Sequence, residues 1–230
     1  MFVYSSNGMG YKKVIYYLLG TNWIKTVWIN FFYFPFNQAL HLPILVSYHT
    51  SLSLSGGGVE LCGPISTGML LLGYRQLGTQ DSKGERTYWN VSGKVLISGT
   101  KNGIGRGCKI FISGQCIIGG WLCITGNSTI VCRKKISFGN NVLISWDVLI
   151  MDTDHHTIND AEGNILNYDK PIVFGDDIWI GCRTTILKGS TVPSNSIVAA
   201  GSIVSGKLQK EGCIYTSGGK ILKDNISWKR

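Results

Sequence analysis

Closely spaced cysteine pairs are missing from this 230-residue sequence. Its seven cysteines, at 62, 108, 116, 123, 132, 182 and 213, form no Cys-x-x-Cys pair and are odd in number. That argues against a zinc site and a secreted disulfide framework, and it fits a reducing cytoplasm. Proline is scarce too, five residues against thirty glycines. With many Ile, Val, Ser and Thr, this balance predicts an all-β chain with frequent tight corners and excludes a helical bundle. No long apolar run is clean enough to span a membrane. The stretch 14–24 is not followed by a small-residue cleavage site, and 26–48 is broken by Asn30, Pro35, Asn37, Gln38, His41 and Pro43. Two readings of 26–48 stay open, packing against the main domain or peripheral contact with the inner face of a membrane.

Acidic residues are few, 13 against 22 basic ones, for a formal charge of +9. No helix-turn-helix, zinc-finger or RNP-like pattern accompanies that surplus. The basic residues are spread out except for Lys220, Lys223, Lys229 and Arg230. Nucleic acid is therefore not the expected partner, whereas a phosphate-bearing cofactor or an anionic glycan would use the same charge.

What is present is a repeat. Phe174, Ile180, Ile186, Val192, Val198 and Val204 recur every sixth position, and Ile178, Thr184, Ser190, Ser196 and Ser202 follow four residues behind each of the first five. On an α-helix, positions six apart point about 240° from one another and cannot share a core. One short strand and a turn per hexad can, with three hexads closing a triangular coil stacked at roughly 4.8 Å on the last. The same spacing occurs at Ile104 and Ile110, at Ile118, Ile124 and Ile130, and at Phe138, Ile144 and Ile150, with two-residue shifts between runs that predict bulges or a non-ideal corner.

The fold class expected is thus all-β, a parallel β-helix of hexapeptide repeats with an N-terminal cap, an excursion loop and a C-terminal tail. Residues 1–50 read as a helical and extended capping segment, 51–206 as the β-helix and 207–230 as a basic tail. Residues 51–103 read as irregular opening coils joined through "GYRQLGTQDSKGERTYWN". The pattern vanishes over 152–171, "DTDHHTINDAEGNILNYDKP", where the in-phase positions would be His156, Glu162 and Tyr168. A long loop in a regular scaffold is usually functional, and this one holds two of the four histidines.

The segments "ISFGNNVLISWDVLIMDTDHHTI", "KPIVFGDDIWIGCRTTILKGSTVPSNSIVAAGSIV" and "KILKDNISW" resemble the hexapeptide-repeat, left-handed β-helix acyltransferases, in particular the branch that acetylates surface polysaccharides and their precursors. The resemblance implies direct attack of an acceptor hydroxyl on acetyl-CoA, a loop histidine as general base, a homotrimer, a sugar or polysaccharide acceptor and no metal. An imidazole titrates near pH ~6.5 and so can be basic at working pH. The family motif resembles D-T-D-aromatic-H, which makes His156 the base and puts His155 in the aromatic position; the galactoside and maltose branch would favour His155. Asp154 or Asp152 could orient the imidazole, or only hold the turn.

By the same resemblance Trp179 lines the acceptor and cofactor cleft, and the CoA arm lies against Gly181, Cys182, Ala199 and Ala200 in a groove between subunits. Ser205 matches a polar contact, although the Lys that often follows is Gly206 here. Lys220 and Lys223 match cations that meet the nucleotide phosphates, although the family's G-N-P-A-K has become "SGGK" at 217–220. Other readings are an N-acetyltransferase on the same fold and a glycan-binding β-helix without catalysis. A carbonic anhydrase on this prism needs three histidines on zinc, and His41, His49, His155 and His156 lack the spacing for it.

Overall fold

The computed structural model describes residues 11–74 and 84–229, with side chains from residue 15 onward. Short parallel strands stack into three sheets of nine, seven and six strands, and the chain visits them in rotation. Each circuit is one coil of a triangular prism. The first face runs through Leu70–Tyr74, Asn102–Gly105, Cys123–Ile124, Val142–Ile144, Ile178–Ile180 and Ile197–Val198; the second includes Lys109–Ile112, Thr129–Cys132, Leu149–Met151 and Thr185–Leu187; the third includes Gln115–Ile118, Lys135–Phe138 and Ile172–Phe174.

The hexad residues point inward. Ile144, Ile150, Phe174, Ile180, Ile186, Val192, Val198 and Val204 are all buried, and the rings of Phe138 and Phe174 stack 5.0 Å apart. The buried hydroxyls turn to backbone carbonyls at the corners, Thr184 Oγ1 to Gly181 O at 2.8 Å and Ser190 Oγ to Leu187 O at 2.6 Å. Small polar residues recur there because a buried hydroxyl must find an acceptor within the tight turn.

The two-residue shifts have one location. Gly103 pairs with Cys123, and Cys123 with Leu143, twenty residues apart, whereas Trp179 pairs with Ile197, eighteen apart. The extra pair falls each time between the second and third faces, at Ser113–Gly114 and Arg133–Lys134, so the cause is a widened corner. The stretch 152–171 leaves the prism at this same corner, between Leu149–Met151 and Ile172–Phe174.

Both expected ends of the prism shift. Strand Ile44–Val46 already pairs with Leu70–Leu72, so the first coil begins inside the expected cap. At the far end the chain does not leave the prism after Gly206: Ile214–Tyr215 pairs in parallel with Ile197–Val198, with Leu208, Cys213 and Tyr215 buried. Strand Ile221–Lys223 then folds back antiparallel on it. Much of the connection expected around 74–90 lies outside the described residues, and Thr87–Val91 within it is already a strand.

The cap consists of α1 (Tyr11–Gly20), α2 (Trp23–Tyr33) and α3 (Phe36–Ala39). Its contact with the prism is polar at the centre. Asn30 accepts from Ile44 N at 3.0 Å and donates to Ile44 O at 2.7 Å, and Thr26 Oγ1 accepts from Val46 N at 3.0 Å. Two side chains of α2 therefore stand in for the missing neighbour strand and close the open edge of the first coil.

Candidate active site

The excursion loop is pinned at its root by a buried carboxylate. Asp152 Oδ1 accepts from Arg133 N at 2.7 Å, and Oδ2 accepts from Lys134 N at 2.9 Å and Lys135 N at 2.7 Å. The widened corner one coil earlier leaves these three N–H groups exposed to the interior, and one anion satisfies them all. Thr153 Oγ1 then accepts from His155 N at 3.0 Å, and His155 sits in the left-handed region at φ 61°. The turn thus presents both histidines to the outside, exposed side by side.

The Asp154 carboxylate turns to two other side chains of the site. Its carboxylate takes Lys188 Nζ and, at 2.9 Å, Asn167 Nδ2. These hydrogen bonds, Lys188's first and Asn167's second, hold its carboxyl below the usual aspartate range. Asn167 also donates to His156 O at 2.7 Å and accepts from Ile158 N at 2.7 Å, while Lys188 donates to Asn167 O at 2.8 Å. Asp154, Asn167 and Lys188 form a clamp on the backbone that carries His156, and Asp152 anchors the strand end. Lys188 and Asn167 were missed in the sequence, although register exposes the first: Met151 pairs with Leu187, so Lys188 lies directly beneath Asp152.

A second cluster occupies the corner between the first and second faces. Gly181 N donates to Val198 O and Gly201 N to Cys182 O, both at 2.8 Å, which stacks Gly181–Cys182 on Ala199–Ala200. A Cβ on Gly181 would meet Ala200 N at 2.5 Å, so close stacking of coils alone already requires glycine here. Ala199 N donates to Tyr215 O at 2.8 Å, and the turn Ser217–Gly219 continues the same column. Gly218 and Gly219 both have positive φ, and Ser217 Oγ accepts from Ile203 N at 3.0 Å, so "SGGK" makes a tied turn without proline. Lys220 closes that turn through its carbonyl, which accepts from Thr216 N at 2.9 Å, and both Lys220 and Lys223 are exposed.

The remaining site residues divide. Trp179, 39% exposed on the first face, donates from Nε1 to Ser145 Oγ at 3.1 Å and lies 6.1 Å from the ring of Trp228. Ser205 sits on the loop's edge, not on the small-residue corner, since Thr185–Ile186 pairs with Ile203–Val204. One whole face, on the order of 15 Å of strand, separates the histidines from the small-residue column. Within one chain the two clusters stay apart.

Thiol chemistry is suppressed where cysteines are buried, burial pushing Cys108 and Cys132 up to about 12. The two exposed imidazoles stand on a loop clamped by a carboxylate and an ammonium.

No protein-family model matches the chain. A galactoside O-acetyltransferase of Escherichia coli (strain K12) is 38% identical over 79 residues, 34% of this chain and 39% of that protein. The polysialic acid O-acetyltransferase of Escherichia coli O1:K1 / APEC is 29% identical over 126 residues, 54% of this chain and 39% of that protein. Over the matched stretches the coils are similar to these O-acetyltransferases. The chain spans 39% of the length of each of these two relatives. A crystal structure of a polysialic acid O-acetyltransferase superposes with a TM-score of 0.45 at 23% identity, covering 81% of this chain and 87% of that one.

Proposed function

We propose that the protein transfers the acetyl group of acetyl-CoA to a hydroxyl of a sugar or polysaccharide, at a site completed between the subunits of a homotrimer. The observation that carries this reading is the placement of the two clusters on different edges of the prism. Side-by-side packing of three copies sets the histidine edge of one against the small-residue edge of the next, and a seam forms that neither edge makes alone. The thioester arm would lie along Gly181, Cys182, Ala199 and Ala200, with its phosphates toward Lys220 and Lys223. Cations around the root of the loop, Lys134 and Lys135 from the coil before it and Lys170 at its end, favour an anionic acceptor.

In the reaction, His156 takes the proton of the acceptor hydroxyl as its oxygen attacks the thioester carbonyl. The C–S bond breaks, and the proton returns to the departing thiolate. His156 is assigned because its carbonyl is held by the Asn167 clamp, which fixes its backbone; His155 is the alternative base.

The test compares His156→Ala and His155→Ala. His156→Ala is expected to lower kcat by about 100-fold or more while acetyl-CoA still raises Tm; His155→Ala is expected to retain most turnover. Full activity in His156→Ala removes it as the base. Mass spectrometry of the acetylated product before and after mild alkali separates a labile ester from a stable amide, and an alkali-resistant product would replace O-transfer by N-transfer.

A further inference from the structure

The N-terminal cap spends polar groups on its contact with the prism and leaves much of its apolar surface outward. On α2 the buried residues are Thr26, Ile29 and Asn30, and the amide and hydroxyl of this set are used up on the edge of the first coil. The opposite side is apolar and aromatic. Leu19, Trp23, Ile24, Trp28, Phe32 and Phe36 are between 41 and 84% exposed. The surface is continuous across the three helices, since Trp23 Nε1 donates to Leu18 O at 3.3 Å and the rings of Phe31 and Phe36 meet at 5.8 Å. A helix at a water interface does the reverse, and contiguous apolar patches of this kind mark an interaction surface.

Charge identifies the occupant. Residues 1–59 contain no Asp or Glu, while Lys12 and Lys13 fall on α1; Lys25 on α2 turns to the prism instead and donates to Thr50 O at 2.6 Å. Trp, Tyr and Phe side by side with lysine, and no acid, are the composition of a segment that rests in the headgroup layer of an anionic bilayer. A protein partner would not require fifty-nine residues free of negative charge. Among the described residues, no helix is long and apolar enough to cross a membrane, so the helices lie on the surface rather than through it.

We propose that α1 to α3 form a docking platform for an anionic phospholipid bilayer, seated at one end of the prism so that the coils project away from the lipid. This inference stands apart from the acetyl-transfer reading, because the platform shares no residue with either edge cluster.

Co-sedimentation of the full chain with phosphatidylcholine vesicles, with and without phosphatidylglycerol, tests it. Binding is expected to be at least tenfold stronger to the anionic vesicles and to weaken at high salt. The double variant Ile24→Asp, Trp28→Asp is expected to lose that binding tenfold or more, while keeping the wild-type circular dichroism and Tm; Ile24→Ser, Trp28→Ser serves if the charged variant fails to fold. Equal binding to both vesicle types overturns the anionic assignment. A chain that stays in the supernatant and instead forms assemblies larger than a trimer, broken up by the same variant, overturns the lipid platform in favour of self-association.

Discussion

Asp152 holds the root of the loop through the backbone of the neighbouring coil. It is fully buried and accepts three backbone N–H bonds at 2.7–2.9 Å from the coil before it. Removing the carboxylate strands those donors in an apolar interior, so Asp152→Ala is expected to cost about 3 kcal/mol, read as a shift of the denaturant midpoint at unchanged m. The Asp154 carboxyl is held below its usual range by Lys188 and Asn167. A carboxylate with a depressed folded value lends its support above the unfolded aspartate pKa, about 3.9, and loses it as pH falls through the folded value. Hydrogen exchange at residues 155–167 is therefore expected to accelerate below about pH 4. In Lys188→Met it should already be fast at neutral pH, with kcat reduced and the Tm of the prism little changed.

At the scale of the element, the coil corners serve stacking before they serve any ligand. Gly181→Ala drives a Cβ to 2.5 Å from Ala200 N and is expected to lower stability by about 1–3 kcal/mol. Ala200→Leu, on an exposed position of the same column, is expected to leave Tm unchanged and to raise KM for acetyl-CoA several-fold; an unchanged KM would move the cofactor groove elsewhere. The six-residue period was legible because every inward residue must fill the same prism, from Ile144 to Val204. The ends were not. Val198 pairs with Tyr215, seventeen positions on rather than eighteen, so the last strand falls out of phase with the repeat that announces it. Ile44–Val46 was hidden for a related reason, its neighbour on the outer edge being an α-helix whose Asn30 and Thr26 imitate a strand edge. The histidine pair was legible as an interruption. Its clamp was not, because Lys188 stands 34 positions from Asp154, and finding it requires knowing how the insertion returns to register.

At the scale of the whole molecule, separation of the two clusters by a full face makes complementation the sharpest test. A His156→Ala subunit and an Ala200→Trp subunit are each expected to be inactive alone. Mixed, unfolded and reassembled together, they should recover roughly a quarter of the wild-type rate, the share of seams that draw an intact histidine edge and an intact small-residue edge from different copies. A mixture that stays inactive would place base and groove within one subunit. Sedimentation of the same mixtures reports whether trimers formed.

The widened corners also shape the molecule along its axis. Coils of twenty residues give way to coils of eighteen after residue 171, so the shaft has a shoulder, broad toward the helices and slim beyond. The histidine loop emerges at that step and folds onto the slimmer part, where Lys188 catches it. Trimming the loop back to a two-residue corner like Arg133–Lys134 would carry the broad girth one storey further, leaving a shaft that stands but has lost both of the histidines at its shoulder.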